Sequence, residues 1–466
     1  MSTGGPGFAR LLADWRAAAP GRPGYEQLST AVRALVVDGR LPLGTRLPAE
    51  RDLAARLGLS RTTVTTAYDL LREQGFLRTR RGAGTFATLP AGRREPWTDS
   101  PDAPLDLAVA SPEALPDVMA AAVERAASKL PHHLGGHGYD ALGLPSLRQA
   151  VADRYAARGL PTSPDQVVVT AGALGGIGLV ARALLAPGDR VLVDVPTYPS
   201  ALDVVRRCGG RLAAVALGDD GWDLERTEAA YRAVLPRLGY LVADHANPTG
   251  HVLDADGRAR MVRAAAGSTL VVDETLVDLA LDGPLPPPVA AYDDGVVTVG
   301  SVSKSHWGGL RVGWLRAPRP LVERFADTRA TVDLAPPVLE QLVVTELLAD
   351  PTAVPRQQDR VRGRRDALVA ALREHAPDWT FSVPTGGLAL WVRLDAPVAT
   401  ALSAAAARHG VRLVPGGRFT ADGTAERWVR VPYALPDVDL REAVRRLVLA
   451  RADLGVVPRD RPVAVA

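Results

Sequence analysis

The 466-residue sequence predicts an α/β multidomain protein, a small N-terminal winged helix-turn-helix followed by a larger domain built on a mostly parallel sheet. Three observations lead there. Residues 1–95 carry 15 arginines against 8 acidic residues, a balance of +7, so the remainder sums to −4 within the net +3. Two short helical segments in this basic piece are separated by a turn of about four residues. From residue 105 onward, short β-rich runs alternate with helix-length stretches. The limits read as 1–87 for the first domain, 88–104 for a linker and 105–466 for the second. Within the second, a large subdomain covers about 135–335 and a small one about 336–455.

The elements follow in order. YEQLSTAVRALVVDGR (25–40) places Leu28, Val32, Leu35 and Val36 on one helical stripe. AERDLAARLG is a short helix with Leu53 and Leu57 on one side and Gly58 as its stop. SRTTVTTAYDLLREQG starts at Ser60, a good N-cap, and runs to Gly75. FLRTRRGAGTFA then reads as two short strands around a glycine-tipped turn with paired arginines, which is a wing. TLPAGRREPWTDSPDAP (88–104) has proline and charge but no periodicity and reads as a linker. In the second domain, strands are expected at VVVTAG (167–172), RVLVDV (190–195), YLVADH (240–245), TLVVDE (269–274) and VVTVGS (296–301).

Composition narrows the function classes. Hydrophobic content of 47% and charged content of 23% fit a globular protein. Cys208 is the single cysteine, so no internal disulfide forms and a reducing compartment is expected. MSTGGPGFARLLADW lacks the apolar core of a signal peptide, and no stretch reaches the ~18 apolar residues of a spanning helix. The expected location is the cytoplasm, at the nucleoid when bound to DNA, with no membrane partner and no metal.

A basic helix-turn-helix with a wing is suited to double-stranded DNA. Arg61 can fork onto guanine in the major groove, and Thr62, Thr63 and Thr65 can reach bases or phosphates. Ser60, at a helix N-terminus, suits a phosphate. Arg51, Arg80 and Arg81 are placed for backbone contacts that position the protein without specifying sequence. The other readings of this piece are a solvated basic face and a winged helix used for protein contacts. LPAERDLAARLGLSRTTVTTAYDLLREQGFLRTRRGAGTF resembles the winged-helix signature of GntR-type transcription regulators. That resemblance implies DNA contact by Arg51, Arg61, Arg81 and Gly82. Thr65 departs from it, since one branch of the family carries arginine there.

In open parallel sheets the ligand lies beyond the carboxyl ends of the strands. There the second domain offers VVVTAGALGG, whose amides near Ala173 and Leu174 can approach a phosphate, and VPTYP with Tyr198. DHANPTG offers Asn247, VVDE offers Asp273, and GSVSK offers Ser301, Ser303 and Lys304; Arg311 follows seven residues later. These are the parts needed to hold pyridoxal 5′-phosphate. Lys304 is one of two lysines among 55 basic residues, the other being Lys129. Only its amine, never a guanidinium, can condense with an aldehyde as a Schiff base. Asp273 would face the pyridine nitrogen, Asn247 the ring hydroxyl and Tyr198 the ring face. Ser301 and Arg311 would hold the phosphate.

The order of these residues, with YDALGLPSLRQAVADRYAARG, PTGGLALWVRL, VRLVPGGRF and RWVRVPY, resembles the fold type I aminotransferases over roughly 105–450. The resemblance implies that Arg430 pairs with a substrate or effector carboxylate and that Tyr139 reaches the cofactor phosphate of a partner subunit, hence a homodimer. Members usually carry a tyrosine two or three positions after the aspartate, where this chain has Thr275 and Leu276. His306 and Trp307, beside the lysine, read as packing or loop-shaping residues.

A GntR-type winged helix on an aminotransferase-like domain resembles the MocR subfamily of bacterial regulators. The implied function is a DNA-binding transcription regulator that senses an amine, an amino acid or pyridoxal phosphate itself through the Lys304 internal aldimine. The alternative is a working aminotransferase with a DNA-binding module attached.

Overall fold

The computed structural model describes residues 8, 11, 12, 15, 23–37, 41, 44–73, 75–80, 84–88 and 104–455. The N-terminal body is built on α1 (Gly24–Val37), α2 (Glu50–Leu57) and α3 (Arg61–Glu73). Leu28, Val32, Leu35 and Val36 of α1 are buried against Leu53 of α2 and Val64, Ala67, Tyr68 and Leu71 of α3, so the expected apolar stripe is the core face. Gly58 ends α2 in the left-handed region (φ 64°), its N–H returning to the Ala54 carbonyl. Ser60 caps α3 by accepting from the Thr63 amide at 3.1 Å. The wing strands β1 (Leu77–Arg80) and β2 (Gly84–Ala87) pair antiparallel, with Leu77 opposite Ala87. Most of the expected linker, 89–103, lies outside the described residues.

After β3 (Leu105–Asp106) come α4 (Pro116–Lys129) and α5 (Pro145–Ala157), then a seven-stranded sheet. Its strands are β4 (Val167–Thr170), β5 (Arg190–Val195), β6 (Arg211–Ala216), β7 (Leu238–Leu241), β8 (Thr269–Asp273), β9 (Val297–Ser301) and β10 (Gly313–Arg316). They lie in the order β4-β10-β9-β8-β7-β5-β6, parallel except that β10 runs against both neighbours. Side chains alternate between two cores: Val167 and Val169 face one and Val168 the other.

Three differences from the expected strands stand out. The strand expected at 240–245 is β7, which begins at Leu238 and ends at Leu241, because the chain then turns into a cleft and His245 takes a φ of 50°. The run expected at 167–172 ends at Thr170: Gly172, at φ 74°, already opens the helix α6 (Gly172–Leu184). Strands β6 and β10 add to those expected from the sequence.

A third core forms around β11 (Ala389–Arg393), β12 (Val411–Arg412), β13 (Val414–Pro415) and β14 (Trp428–Pro432). β11, β14 and β13 make an antiparallel sheet, whereas β12 pairs parallel with β3. Leu107, and Leu276, Leu279 and Leu281 from the segment after β8, are buried in this same core. The chain entering from the linker side is therefore anchored to the third core before it reaches the large sheet. Among the described residues, no helix is long and apolar enough to cross a membrane.

Candidate functional site

The carboxyl ends of β4, β5, β7, β8 and β9 converge on one cavity of about 410 Å³, closed on its other side by residues of the third core. Ala173, Leu174, Tyr198, Asn247, Asp273, Ser301, Ser303, Lys304, Arg311 and Arg430 all line it. Ten residues spread over 258 positions of sequence are brought together. Tyr139 is not among them. It is 64% exposed, with its ring 5.5 Å from that of His137.

One end of the cavity is built for an anion. The α6 amides begin at Gly172, and the Arg311 Nη2 donates to the Ala171 carbonyl at 3.1 Å, which sets its guanidinium over the helix start. Arg311 itself sits at φ 52°, a region that costs a non-glycine residue free energy. A Cβ at Gly172 would lie 2.9 Å from that guanidinium, and one at Gly313 would lie 2.6 Å from the Gly300 carbonyl. Both glycines are required by this close approach. The Ser301 hydroxyl accepts from the Ser303 amide at 3.0 Å and is within hydrogen-bond distance of the Val312 carbonyl and the Ser303 hydroxyl. It therefore holds the turn that carries Lys304, and Ser303 is the hydroxyl with capacity to spare.

At the middle of the cavity, Asp273 is buried at the end of β8. One carboxylate oxygen accepts from the Thr275 amide at 3.0 Å and the other from the Tyr240 hydroxyl at 2.8 Å. Burial pushes the carboxyl up from its usual range, and these hydrogen bonds oppose that. Tyr240 lies on the adjacent strand β7, 33 positions earlier, so no local motif announces it. The Lys304 ammonium is held down to about 8 by burial, with Arg430 and Arg311 adding to the effect and Asp273 opposing it. Its Nζ donates to the Ala110 carbonyl at 2.6 Å.

At the other end, Arg430 projects from β14. It donates to the Ala108 carbonyl and, at 3.4 Å, to the Asn247 Oδ1, and its face lies 5.0 Å from the Phe419 ring centre. Its Nε is buried without a hydrogen-bond partner among the described residues. Burial lowers this guanidinium to about 10. A buried cation with an unused donor is suited to a carboxylate. The two carbonyls that face Lys304 and Arg430, Ala110 and Ala108, belong to the segment just after β3. The Ser111 hydroxyl fastens that segment by donating to the Ser303 carbonyl at 3.1 Å. Backbone carbonyls of small residues leave no sequence signal.

The donor set fits pyridoxal 5′-phosphate. There is an anion cradle under Arg311, a deprotonatable amine, a buried carboxylate for the pyridine nitrogen, and Asn247 with its amide nitrogen free for a ring oxygen. His245 also lines the cavity. It is buried, has no partner for either ring nitrogen among the described residues, is pushed down to about 4 chiefly by burial, and is packed beneath Gly386 and Gly387. His306 faces away from the cavity: its Nδ1 lies 2.9 Å from the Ser305 hydroxyl, beside Leu115, Val118 and Leu347. The Trp307 ring lies over Gly309 and is 44% exposed.

The comparisons with known proteins agree with this geometry. Residues 106–447 match the family model "Aminotransferase class I and II", and residues 24–87 match "Bacterial regulatory proteins, gntR family". The chain belongs to the MocR-type regulators, a GntR-family domain joined to an aminotransferase class I and II domain. It is 30% identical to the uncharacterised HTH-type transcriptional regulator YdcR of Escherichia coli, over 87% of this chain and 93% of that one. It is 27% identical to the probable rhizopine catabolism regulatory protein MocR of Rhizobium meliloti, over 95% and 97%. Among solved structures, LysN, the α-aminoadipate aminotransferase of Thermus thermophilus complexed with N-(5′-phosphopyridoxyl)-L-leucine, is similar with a TM-score of 0.70. It is 28% identical, and the match covers 75% of this chain and 92% of that one.

On this MocR-type chain the winged helix presents Arg51, Ser60, Arg61 and Thr62 to solvent. Thr63 is half-buried, its hydroxyl 2.8 Å from that of Ser60. The Thr65 hydroxyl turns inward and donates to Glu50 at 2.9 Å, so it ties α3 to α2, and Thr66 is the exposed hydroxyl beyond it. Arg81 and Gly82, and the side chain of Arg80, lie outside the described residues.

Proposed function

We propose that this chain is a pyridoxal-phosphate-dependent transcription regulator that binds operator DNA through its winged helix and senses an amino compound in the cavity around Lys304. The observation that carries the reading is the convergence of Lys304, Asp273, Arg311 and Arg430 on one cavity, in a chain whose N-terminal winged helix exposes Arg51 and Arg61. When bound, the cofactor supplies an aldehyde carbon that an amine can attack. Lys304, with its ammonium destabilised by burial, is the amine that would hold that carbon. Asp273, oriented by Tyr240 and the Thr275 amide, would face the pyridine nitrogen. Arg311 and the α6 amides would hold the phosphate, with Ser303 adding a hydroxyl, and Asn247 and Tyr198 would contact the ring.

An incoming amine would compete with Lys304 for that carbon, and a carboxylate on it would compete with the Ala108 carbonyl for Arg430. Both Lys304 and Arg430 are held in this structure by the Ala108–Ala110 segment. That segment continues through β3 toward the linker, so a ligand that displaces it acts on the stretch of chain leading to the DNA-binding domain. Near-complete reversal of a two-state switch requires about 5.5 kcal/mol of preference for one state. Because the bond the amine forms replaces the one Lys304 gives up, that preference would come from the ion pair with Arg430 and from release of the Ala108–Ala110 segment.

The regulator acts in this reading as a cytoplasmic homodimer, with the partner subunit's Tyr139 completing each phosphate site. The exposed Leu134, Tyr139 and Leu334 support such an interface. Spectral titration of cofactor-loaded protein with amines and amino acids, followed by binding to the promoter beside its own gene, tests the proposal. A change in absorbance together with a change in promoter affinity is expected. Steady-state turnover of amino-donor and keto-acceptor pairs, with no effect of either on DNA binding, would instead favour a working aminotransferase.

A further inference from the structure

The charges that line the cavity say more about the ligand than that it is an amine. Four cationic side chains line it, Lys304, Arg311, Arg418 and Arg430, against one carboxylate, Asp273. Three of these five have duties toward the cofactor: Arg311 at the anion cradle, Asp273 at the ring and Lys304 at the reactive carbon. Two guanidiniums remain. Arg430 is on the inner wall with a buried, unused Nε. Arg418 is at the rim, its side chain 58% exposed.

Arg418 is not on a free loop. It lies in the turn Gly416–Phe419, whose next residue, Phe419, packs on Arg430 and whose Phe419 carbonyl accepts from the Thr197 amide at 2.8 Å. The turn is thereby fastened to the segment carrying Tyr198. Gly416 sets its path: a Cβ there would lie 2.4 Å from the Trp428 carbonyl. The nearest acid, Asp203, is 4.0 Å from Arg418 and is shared with Arg206 at 3.3 Å. One exposed carboxylate between two guanidiniums leaves positive charge over at the mouth of the cavity.

Resting on the sensor reading above, the geometry points to an effector with two acid groups: an amino acid whose α-carboxylate meets Arg430 and whose distal carboxylate, sulfonate or phosphonate meets Arg418. Arg418 is then a specificity-determining residue. A side chain ending in a neutral or cationic group leaves Arg418 without its anion, and a cationic one adds like-charge repulsion at the rim.

Calorimetric and absorbance titrations of the full-length, cofactor-loaded protein test this with chain-matched pairs, L-glutamate against L-norvaline and L-2-aminoadipate against L-norleucine. The expected result is at least tenfold tighter binding of the dicarboxylic member of one or both pairs. Arg418→Gln, a change at an exposed position, is expected to remove that preference by weakening the dicarboxylic ligand about tenfold while leaving the monocarboxylic one unchanged. Equal affinities within both pairs overturn the inference. So does an Arg418→Gln variant that weakens both members alike, because Arg418 would then share the α-carboxylate with Arg430. No response to any amine overturns the sensor reading and this inference with it, whereas a response without acid preference overturns the inference alone.

Discussion

Arg430 and Arg51 are the same residue type in opposite settings. Arg430 is 6% exposed, fixed by a carbonyl, an amide oxygen and an aromatic face, and its Nε is without a partner among the described residues. The Arg51 side chain is 86% exposed, with Asp52 3.9 Å away. The buried cation is suited to discrimination, because any ligand without a matching anion leaves it unsatisfied in a water-poor space. The exposed cation is suited to attraction, since it keeps its water, responds to salt and holds any phosphate. The two ends of the chain divide the work: the cavity selects among small molecules, and the winged helix binds a polyanion and reads it through few residues.

The largest effect that would break this division is at Lys304. Lys304→Arg keeps the charge and removes the reactive amine, so covalent capture of pyridoxal phosphate is expected to vanish; absorbance near the visible edge and intact mass after borohydride reduction check it. A retained band would mean that charge, not the amine, is what the position supplies.

On the winged helix, Arg61→Ala is expected to cost roughly 1–3 kcal/mol of operator binding and to relax specificity at one base pair. Arg51→Ala is expected to weaken all sequences alike and to lower the salt slope by about one. Competition and salt titrations of the two variants separate reading from attraction, and identical behaviour would erase the distinction.

A pH series sharpens the account of the cavity. Burial destabilises the Lys304 ammonium, so its pKa lies near 8 and the free amine is the reactive form. The rate of cofactor capture by apo-protein is expected to climb about tenfold per pH unit below 8 and to level above it. A rise continuing toward the ordinary lysine range would show that the amine is not enclosed. The smallest effect is expected of Thr65→Val, which removes the hydrogen bond to Glu50 and lowers the melting stability by about 1 kcal/mol. Its operator affinity is expected to stay close to wild type, while Thr66→Val weakens binding more.

What was legible in the sequence follows the same contrast. The strands at 190, 269 and 297 were readable because short valine-rich runs mark strands buried on both sheet faces. RLAAVA at 211–216 was not, because it is an alanine-rich strand at the sheet edge. GWLR at 313–316 was hidden behind the glycines and arginine of the anion cradle. Asp273 and Lys304 announce themselves by residue type at strand ends. Tyr240, Arg418 and the carbonyls of Ala108 and Ala110 gain their roles only when distant segments meet, and a carbonyl has no residue identity to read. Thr65 looked like a groove-facing hydroxyl, but Glu50, 15 positions earlier, turns it inward.

The most direct test of the central claim is operator affinity, measured by fluorescence anisotropy on the chain's own promoter, for cofactor-loaded wild type and for Lys304→Ala given the same cofactor. Each is titrated with a panel of L-amino acids. At least one amino acid is expected to change the wild-type apparent Kd tenfold or more, with no change in the variant. An equal shift in Lys304→Ala, or no shift in wild type with any member of the panel, would contradict a sensor that works through the lysine.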